Sequence, residues 1–281
     1  MSKQQASTAL ITGTSSGIGL EAAIALAQAG FAVVATMRDL QRATTLRQRA
    51  QAAKVQLDIR KLDITDAHEA EHCVAEVVRD YGAIDLLVNN AGSGFVGSLE
   101  QISMEDLEKV MDVDFMGTAR LTRLVLPGQR ERRSGRILSV TSVGGIVGQP
   151  FNDSYCAAKF AVEGLMESLA PVAKSFGVHV AVIEPGAVAT EFIANAAPSI
   201  ERQGDDPYQE LWQSYIARTQ ASFSAAQTPA GVAEVIVLAA TEEQPRFRYQ
   251  TSATAQAFVG QKLSDLDGSK VQNMTSQWIK S

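Results

Sequence analysis

Short apolar runs alternate along the chain with longer amphipathic segments. The apolar runs predict six strands, at Thr8–Thr12, Ala32–Thr36, Gln56–Leu62, Leu86–Asn89, Arg136–Thr141 and Val178–Glu184. The amphipathic segments predict five helices, at Gly17–Ala29, Leu40–Ala53, Asp66–Tyr81, Ser103–Leu126 and Asn152–Phe176. Continuous apolar runs are typical of strands buried on both faces, and their alternation with helices indicates a parallel sheet with right-handed crossovers. The expected fold is a doubly wound α/β sheet, with its ligand site at the carboxyl ends of the strands.

The pattern changes after Thr190. Residues 191–227 are polar and predict a helical insertion, which we expect to act as a lid that binds the substrate. Its aromatic residues Trp212 and Tyr215, with Phe223, either wall an apolar substrate pocket or form the packing face of the lid helix. The remaining pattern predicts a helix at Pro229–Ala240, a last strand at Arg246–Tyr249 and a helical extension over residues 252–281. Since no repeat or linker divides the chain, all 281 residues are expected to form a single domain.

The composition is that of an ordinary globular protein, with 46% apolar and 20% charged residues. A net charge of −6 argues against a nucleic-acid surface, which would normally be basic. The two cysteines, Cys73 and Cys156, are far apart and indicate a reducing compartment rather than a disulfide framework. No signal peptide and no apolar run long enough to cross a bilayer is evident. We therefore expect a cytoplasmic protein with no nucleic-acid or membrane partner.

The loop between the first strand and the first helix is rich in glycine. Its sequence is Thr12-Gly13-Thr14-Ser15-Ser16-Gly17-Ile18-Gly19. Glycine lets the backbone turn tightly and approach a pyrophosphate, while free N–H groups at the helix start face the anion. The spacing differs from the common Gly-x-Gly-x-x-Gly pattern, and a plain strand–helix turn would also use glycine. The position of the loop favours dinucleotide binding, with the contacts made by Gly13, Ser15, Ser16, Gly17, Ile18 and Gly19.

The end of the second strand distinguishes NAD from NADP. Enzymes that use NAD commonly place an acidic side chain there for the ribose 2′-hydroxyl, but this chain has Met37 followed by Arg38. A guanidinium binds a 2′-phosphate bidentately, and one such contact favours NADP by about 10- to 100-fold. We interpret Asp39 as the cap of the next helix, and the alternative for Arg38 is a solvated surface arginine. The expected cofactor is NADP(H) in preference to NAD(H).

Three polar residues form a candidate catalytic group. Tyr155 and Lys159 are four residues apart on one face of a predicted helix, and Ser142 follows the fifth strand. When a nicotinamide delivers a hydride to a carbonyl carbon, the protein has to supply a proton to the oxygen. A tyrosine titrates at about pH 10, and a lysine cation about 5 Å away stabilises its phenolate by about 3 kcal/mol. We therefore expect Tyr155 to exchange the proton, Lys159 to lower its pKa and Ser142 to hold the substrate oxygen.

Together these motifs resemble the short-chain dehydrogenase/reductase superfamily, over roughly Thr8 to Thr190. The matching residues are Thr12–Gly19, Asp63, Asn89-Asn90-Ala91-Gly92, Ser142, Tyr155, Lys159, Pro185-Gly186 and Thr190. The resemblance implies that Asp63 contacts the adenine, that Lys159 also binds the nicotinamide ribose and that Thr190 approaches the carboxamide. It further assigns to the cofactor pocket Asn90, Ala91, Gly92, Tyr155, Pro185, Gly186 and Val188. The single domain is thus expected to be a catalytic domain of the Rossmann fold.

The stretch Ser142–Ser168 is similar to the 17β-hydroxysteroid dehydrogenases, and that branch implies an NADPH preference with an arginine at the position of Arg38.

This chain departs from the resembled proteins in two respects. The superfamily usually has asparagine where this chain has Asp114, whose ionised carboxylate can accept a hydrogen bond and pair with Lys159 but cannot donate. The chain also lacks any histidine after His179, whereas the resembled branch uses a late histidine to recognise its steroid. The sequence therefore allows a steroid substrate without supporting one.

Two functions remain open from the sequence. The first is an NADP(H)-dependent oxidoreductase acting on a hydrophobic ketone or secondary alcohol, and the alternative is a non-catalytic NADP(H)-binding sensor on the same fold. By resemblance, the helices at Ser103–Leu126 and Asn152–Phe176 pair subunits, which implies a homodimer or homotetramer. No metal is expected, because His68 and His72 share a helix face without an evident third ligand.

Overall fold

Seven parallel strands form one sheet in a computed structural model that describes residues 6–190, 206–223 and 226–279. The strands are β1 Thr8–Ile11, β2 Ala32–Met37, β3 Asp58–Lys61, β4 Leu86–Asn89, β5 Gly135–Val140, β6 Val178–Glu184 and β7 Arg248–Gln250. Their order across the sheet is β3-β2-β1-β4-β5-β6-β7. From the middle of the sheet, the strands follow chain order outward from β1 to β3 on one side and from β4 to β7 on the other. The chain therefore leaves β1 and β4 toward opposite faces of the sheet, and a crevice forms between the two loops at the carboxyl edge.

Helices cover both faces of the sheet. They are α1 Gly17–Gln28, α2 Thr44–Ala52, α3 Ala67–Tyr81, α4 Met104–Met111, α5 Gly117–Arg132, α6 Asp153–Lys174, α7 Gln209–Phe223, α8 Pro229–Thr241, α9 Ala253–Leu263 and α10 Ser269–Ser276. Side chains alternate across β1, where Ala9 and Ile11 join the core under α1 and α8. Leu10 points to the opposite core, under α3, α5 and α6. Both faces are therefore buried, as the continuous apolar runs predicted.

Most predicted elements are confirmed to within two residues, and two helices differ. The segment predicted as one helix from Leu40 begins with a 3₁₀ turn at Leu40–Ala43, capped by Asp39, whose Oδ1 accepts from the Gln41 N–H at 2.9 Å. The cap interpretation of Asp39 is therefore confirmed. The helix predicted at Ser103–Leu126 is divided by a π-helical turn at Asp112–Met116, and it continues through Pro127 to Arg132.

A smaller apolar cluster joins the C-terminal helices to the loop after β5. Val143, Ile146 and Val147 in that loop are buried against α9 and α10, with Val259 and Val271 as their partners. The predicted C-terminal helical extension is therefore packed on the main domain. None of the helices in the described ranges combines the length and apolarity needed to span a membrane.

The described part of the predicted lid is helix α7. Tyr215 on this helix is 6% exposed, and its hydroxyl accepts from Asn152 Nδ2 at 2.7 Å. The Phe151 ring lies 5.4 Å from the Trp212 ring and 5.3 Å from the Tyr215 ring, measured between centroids. Trp212 and Tyr215 thus form a packing face against the loop before α6. Residues 191–205 and 224–225 of the predicted lid lie outside the described residues.

Candidate active site

The glycine loop forms a tight cradle at the crevice between β1 and β4. Gly13 and Gly17 adopt φ angles of +70° and +57°, a left-handed region that favours glycine. A Cβ on Gly19 would stand 2.2 Å from the Gly13 carbonyl oxygen, so no larger residue fits there without a shift. The Asn90 side chain holds the loop from the β4 side, because its Nδ2 donates to the carbonyls of Thr12 at 2.9 Å and Gly13 at 3.1 Å.

The start of α1 is open to an anion. Ser16 is extended at the helix N-cap, and no side chain of the described residues caps the first turn. A Cβ on Gly17 would stand 3.1 Å from Thr190 Cγ2, which brings Thr190 directly against the loop. The uncapped N–H groups, the helix dipole and the lack of a Cβ at Gly13, Gly17 and Gly19 suit a pyrophosphate, so the cradle fits a dinucleotide cofactor.

Two further predicted residues lie at the carboxyl ends of the neighbouring strands. Arg38 is exposed directly after β2 and forms no ion pair within the described ranges. Asp63 follows β3, and its Oδ1 accepts from the Thr65 N–H at 3.0 Å and the Thr65 hydroxyl at 2.7 Å. On the other side of the crevice, the Val143 N–H donates to the Pro185 carbonyl at 2.9 Å, which joins the predicted Pro185–Thr190 segment to the loop after β5.

Ser142, Tyr155 and Lys159 come together beyond the end of β5. Ser142 caps a 3₁₀ turn at Val143–Gly145, and its hydroxyl accepts from the Gly144 N–H at 3.0 Å. The same hydroxyl is hydrogen-bonded to the phenol of Tyr155. Lys159, one turn further along α6, places its Nζ 5.7 Å from the centre of the Tyr155 ring. The ammonium group is buried beside the phenol rather than directed to solvent.

Asp114 contacts the lysine directly. Its Oδ1 lies 2.9 Å from Lys159 Nζ, and its side chain has no exposed surface. The other carboxylate oxygen accepts from the N–H and the hydroxyl of Ser93, at 3.0 and 2.9 Å. A Cβ on Gly92 would stand 2.8 Å from Asp114 Oδ1, so the glycine leaves room for the ion pair. The sequence reasoning missed Ser93, although it directly follows the Asn-Ala-Gly motif.

Burial and neighbouring charges determine the protonation of Lys159 and Tyr155. Burial lowers the pKa of Lys159, but the charge of Asp114, with smaller contributions from Tyr155 and Glu163, outweighs burial and raises it above its usual value. Burial also raises the pKa of Tyr155, and the Lys159 cation and the Ser142 hydrogen bond oppose that shift without reversing it. Asp114 adds to the rise. The net shift is upward, so Tyr155 is a neutral phenol at neutral pH and can donate a proton.

A second buried ion network lies one helical turn beyond Lys159, and the sequence reasoning missed it. Glu163 Oε1 accepts from the Thr141 hydroxyl at 2.6 Å, while Arg248 Nη1 lies 2.6 Å from Glu163 Oε2 and 2.8 Å from Glu184 Oε1. Burial raises the pKa of Glu163 to about 7, with the Glu184 charge adding to the rise. These residues are far apart in the chain, so no local pattern indicated their contact.

Comparison with known proteins agrees with this geometry. Residues 7–201 match the short chain dehydrogenase family. The chain is 40% identical to human 17-beta-hydroxysteroid dehydrogenase type 1, over 92% of this chain and 82% of that protein. It is 38% identical to human retinol dehydrogenase 8, over 93% of this chain and 86% of that protein.

Solved structures show the same fold. A variant of actinorhodin polyketide ketoreductase with NADPH matches with a TM-score of 0.76 and 30% identity, covering 89% of this chain and 97% of that one. A short-chain dehydrogenase/reductase from Burkholderia phymatum in complex with NAD matches with a TM-score of 0.81 and 25% identity, covering 95% and 96% of the two chains. The two neighbours thus carry different nicotinamide dinucleotides.

Proposed function

Because the chain belongs to the short-chain dehydrogenase family, and is therefore an oxidoreductase that acts on CH–OH groups, we propose that it interconverts a ketone and a secondary alcohol. The observation that carries this proposal is the contact between Tyr155 and Ser142 beside the buried Lys159 ammonium. These groups lie at the carboxyl edge of the sheet, next to a loop that suits a dinucleotide.

In this proposal, side chains of the protein donate and accept the proton at the substrate oxygen. The nicotinamide cofactor, when bound, supplies or accepts the hydride. Ser142 and Tyr155 hold the substrate oxygen by hydrogen bonds, and the phenol of Tyr155 donates its proton as the carbonyl becomes an alkoxide. The buried cation of Lys159 then stabilises the phenolate that remains. Since Tyr155 is neutral at neutral pH, the site is best prepared for reduction, and oxidation requires the phenol to lose its proton first.

We propose NADP(H) as the preferred cofactor. Arg38 is exposed at the end of β2 and has no ion pair with any residue that the structure describes, so it can bind a 2′-phosphate, and Asp39 is occupied as a helix cap. Position 37 is a methionine, so the chain lacks the acidic side chain that commonly binds the ribose 2′-hydroxyl of NAD at this point. The residues that would hold the cofactor are Gly13, Ser15, Ser16, Gly17, Ile18, Gly19, Arg38, Asp63, Asn90, Ala91, Gly92, Tyr155, Lys159, Pro185, Gly186, Val188 and Thr190.

The substrate is proposed to be a largely apolar small molecule. Phe151, whose ring contacts Trp212 and Tyr215, lies four residues before Tyr155, so an apolar aromatic cluster packs next to the start of α6. Two relatives are named for a steroid and for retinol, and both of these molecules are mostly hydrocarbon. Residues 191–227 are proposed to close over this side of the site as a lid.

We also propose that the chain forms a homodimer or homotetramer through α4, α5 and α6. Large apolar side chains are exposed on or beside these helices, with Met104 65%, Met116 47% and Phe160 39% exposed. An apolar surface of this kind is typical of an interface between protein subunits.

We propose the reducing cytoplasm as the location of the protein. The free cysteines Cys73 and Cys156 are both buried, which suits a reducing compartment.

The sensor function keeps one observation in its favour, the Asp114–Lys159 ion pair, because the carboxylate neutralises the cation that the phenolate needs. A screen of apolar ketones with NADPH, followed by the absorbance of the reduced nicotinamide, separates the two functions. We expect steady NADPH consumption with at least one ketone. NADPH binding without turnover on any ketone would instead favour the sensor.

A further inference from the structure

The amide of Gln149 lies beside the reacting groups. If Gly144 carried a Cβ, that atom would stand 3.3 Å from Ser142 Oγ, 3.4 Å from Gln149 Nε2 and 3.4 Å from Tyr155 Cε1. All three side chains therefore converge on one small space above the glycine. Since Ser142 and Tyr155 are the groups proposed to hold the substrate oxygen, the Gln149 amide faces the same part of a bound substrate.

The side-chain amide of Gln149 has no hydrogen-bond partner among the described residues, and the side chain is only half-buried. An amide offers two N–H donors and a carbonyl acceptor. An unpaired amide at the edge of a binding site favours a ligand that hydrogen-bonds to the amide. A purely hydrocarbon group is disfavoured, because it would remove the amide from water without giving it a hydrogen-bond partner.

The backbone around Gln149 is held firmly. The Gln149 carbonyl accepts from the Asn152 N–H at 3.1 Å, and the Phe151 carbonyl two residues later accepts from the Gly97 N–H at 2.8 Å. Phe151 itself has a φ of +59°, a strained value for a residue with a Cβ, and its ring is fixed by Trp212 and Tyr215. The amide is thus presented from a fixed loop, which is what specific recognition requires.

We propose that Gln149 is a specificity-determining residue, and that the substrate carries a hydrogen-bonding oxygen close to the reacting carbonyl, such as an adjacent ester, ketone or hydroxyl. This inference rests on the proposed ketone reduction and narrows its substrate class. The remainder of the substrate is apolar, and the polar oxygen lies on the side of the carbonyl that faces the loop before α6.

The test compares two ketones of similar length, ethyl benzoylformate and valerophenone, which differ in the ester beside the carbonyl. The kcat/KM ratio of the keto ester to the hydrocarbon ketone is measured for the wild-type protein and for Gln149→Met, which keeps the side-chain length without the amide. We expect the ratio to fall about three- to tenfold in Gln149→Met, the loss of one neutral hydrogen bond. Gln149→Glu, which removes the donor, is expected to lower the ratio in the same direction.

Gln51→Met serves as the matched control, because Gln51 is exposed on α2, a helix that carries none of the proposed site residues. Its ratio is expected to equal that of the wild type, and the NADPH dissociation constant of each Gln149 variant verifies that the variant is folded. A ratio that stays within twofold of the wild type in Gln149→Met, with both ketones turned over, overturns the inference alone. Absence of turnover with any ketone in the wild-type protein overturns the proposed function, and the inference with it.

Discussion

At the scale of single residues, the ion pair of Lys159 with Asp114 sets the charge beside the phenol of Tyr155. The cation is buried next to the phenol of Tyr155, but a carboxylate 2.9 Å from its Nζ offsets much of its charge. Burial is the main cause that raises the pKa of Tyr155, and the Asp114 charge adds to it, so the phenol keeps its proton at neutral pH. An uncharged group at position 114 would leave the full positive charge to act on the phenol.

The substitution Asp114→Asn tests this balance. Removing the carboxylate charge lowers the pKa of Tyr155, because Asp114 raises it in the wild-type protein. The rising limb of the pH profile for alcohol oxidation is expected to move to lower pH, while turnover in ketone reduction is retained or raised. The measurement is kcat/KM against pH in both directions. A fall in ketone turnover of more than about tenfold would show that the carboxylate has a role of its own.

Arg38 is the residue proposed to bind the 2′-phosphate of NADP(H). Arg38→Ala removes the proposed contact with the 2′-phosphate, and a charged hydrogen bond of this kind is worth about 10- to 100-fold in affinity. The KM for NADPH is expected to rise within that range, while the KM for NADH stays near its wild-type value. Arg47→Ala, an exposed arginine on α2, is the control. Equal effects on both cofactors would contradict a 2′-phosphate contact.

At the scale of elements, buried charges join α6 to the last two strands. Glu163 on α6 shares Arg248 of β7 with Glu184 of β6, and it also accepts from Thr141 next to Ser142. Burial raises the pKa of Glu163 from 4.5 to about 7. Since the folded state then binds a proton that the unfolded state has lost, the stability contributed here decreases as pH rises from about 4.5 to about 7.

Glu163→Gln removes this titration. The free energy of unfolding of the wild-type protein is expected to lose about 1 to 3 kcal/mol from this group as the pH rises through that window. In the variant the slope over the same window is expected to be flatter, even if its stability at any one pH is lower. Glu167→Gln is a matched control, because Glu167 contacts the same Arg248 at 3.0 Å but is 64% exposed. Identical slopes in Glu163→Gln and the wild type would rule out Glu163 as the titrating group.

The C-terminal 3₁₀ turn Gln277–Ile279 packs against α7, the helix of the proposed lid. The Arg218 guanidinium of α7 lies 4.4 Å from the centre of the Trp278 ring, which stacks on Phe258 at 5.8 Å. Trp278→Ala is therefore expected to loosen the lid and raise the KM for ketones about three- to tenfold, with NADPH affinity unchanged. Trp278→Phe is expected to restore much of the loss.

Steady-state kinetics at saturating NADPH measures this effect, with Leu266→Ala as the control because Leu266 is fully exposed between α9 and α10. An unchanged ketone KM in Trp278→Ala would mean that the C-terminal turn does not position the lid.

At the scale of the whole molecule, the sheet and the cofactor loop could be predicted because their signals are local. A buried parallel strand is a short apolar run, and a phosphate loop is a set of glycines between a strand and a helix. Ser142, Tyr155 and Lys159 were found for the same reason, since helical spacing alone places two of them on one face.

Other features depend on contacts that the sequence does not display. The π-helical turn that carries Asp114 has no local signature, and Glu163 meets Arg248 only because α6 and β7 pack together in the finished fold. The sequence also suggested that Lys159 would lower the pKa of Tyr155. Lys159 does lower that pKa, but burial and the Asp114 charge, which both depend on the folded structure, outweigh its effect.

The function proposed for the phenol of Tyr155 is to donate the proton at the substrate oxygen. Its most direct test is kcat for ketone reduction in Tyr155→Phe, measured together with the dissociation constant for NADPH. Since a general acid contributes about 10²- to 10⁴-fold, kcat is expected to fall by at least about 100-fold while NADPH binding changes less than about threefold. A kcat within about tenfold of the wild type, with the cofactor still bound, would contradict the proposed role of the phenol.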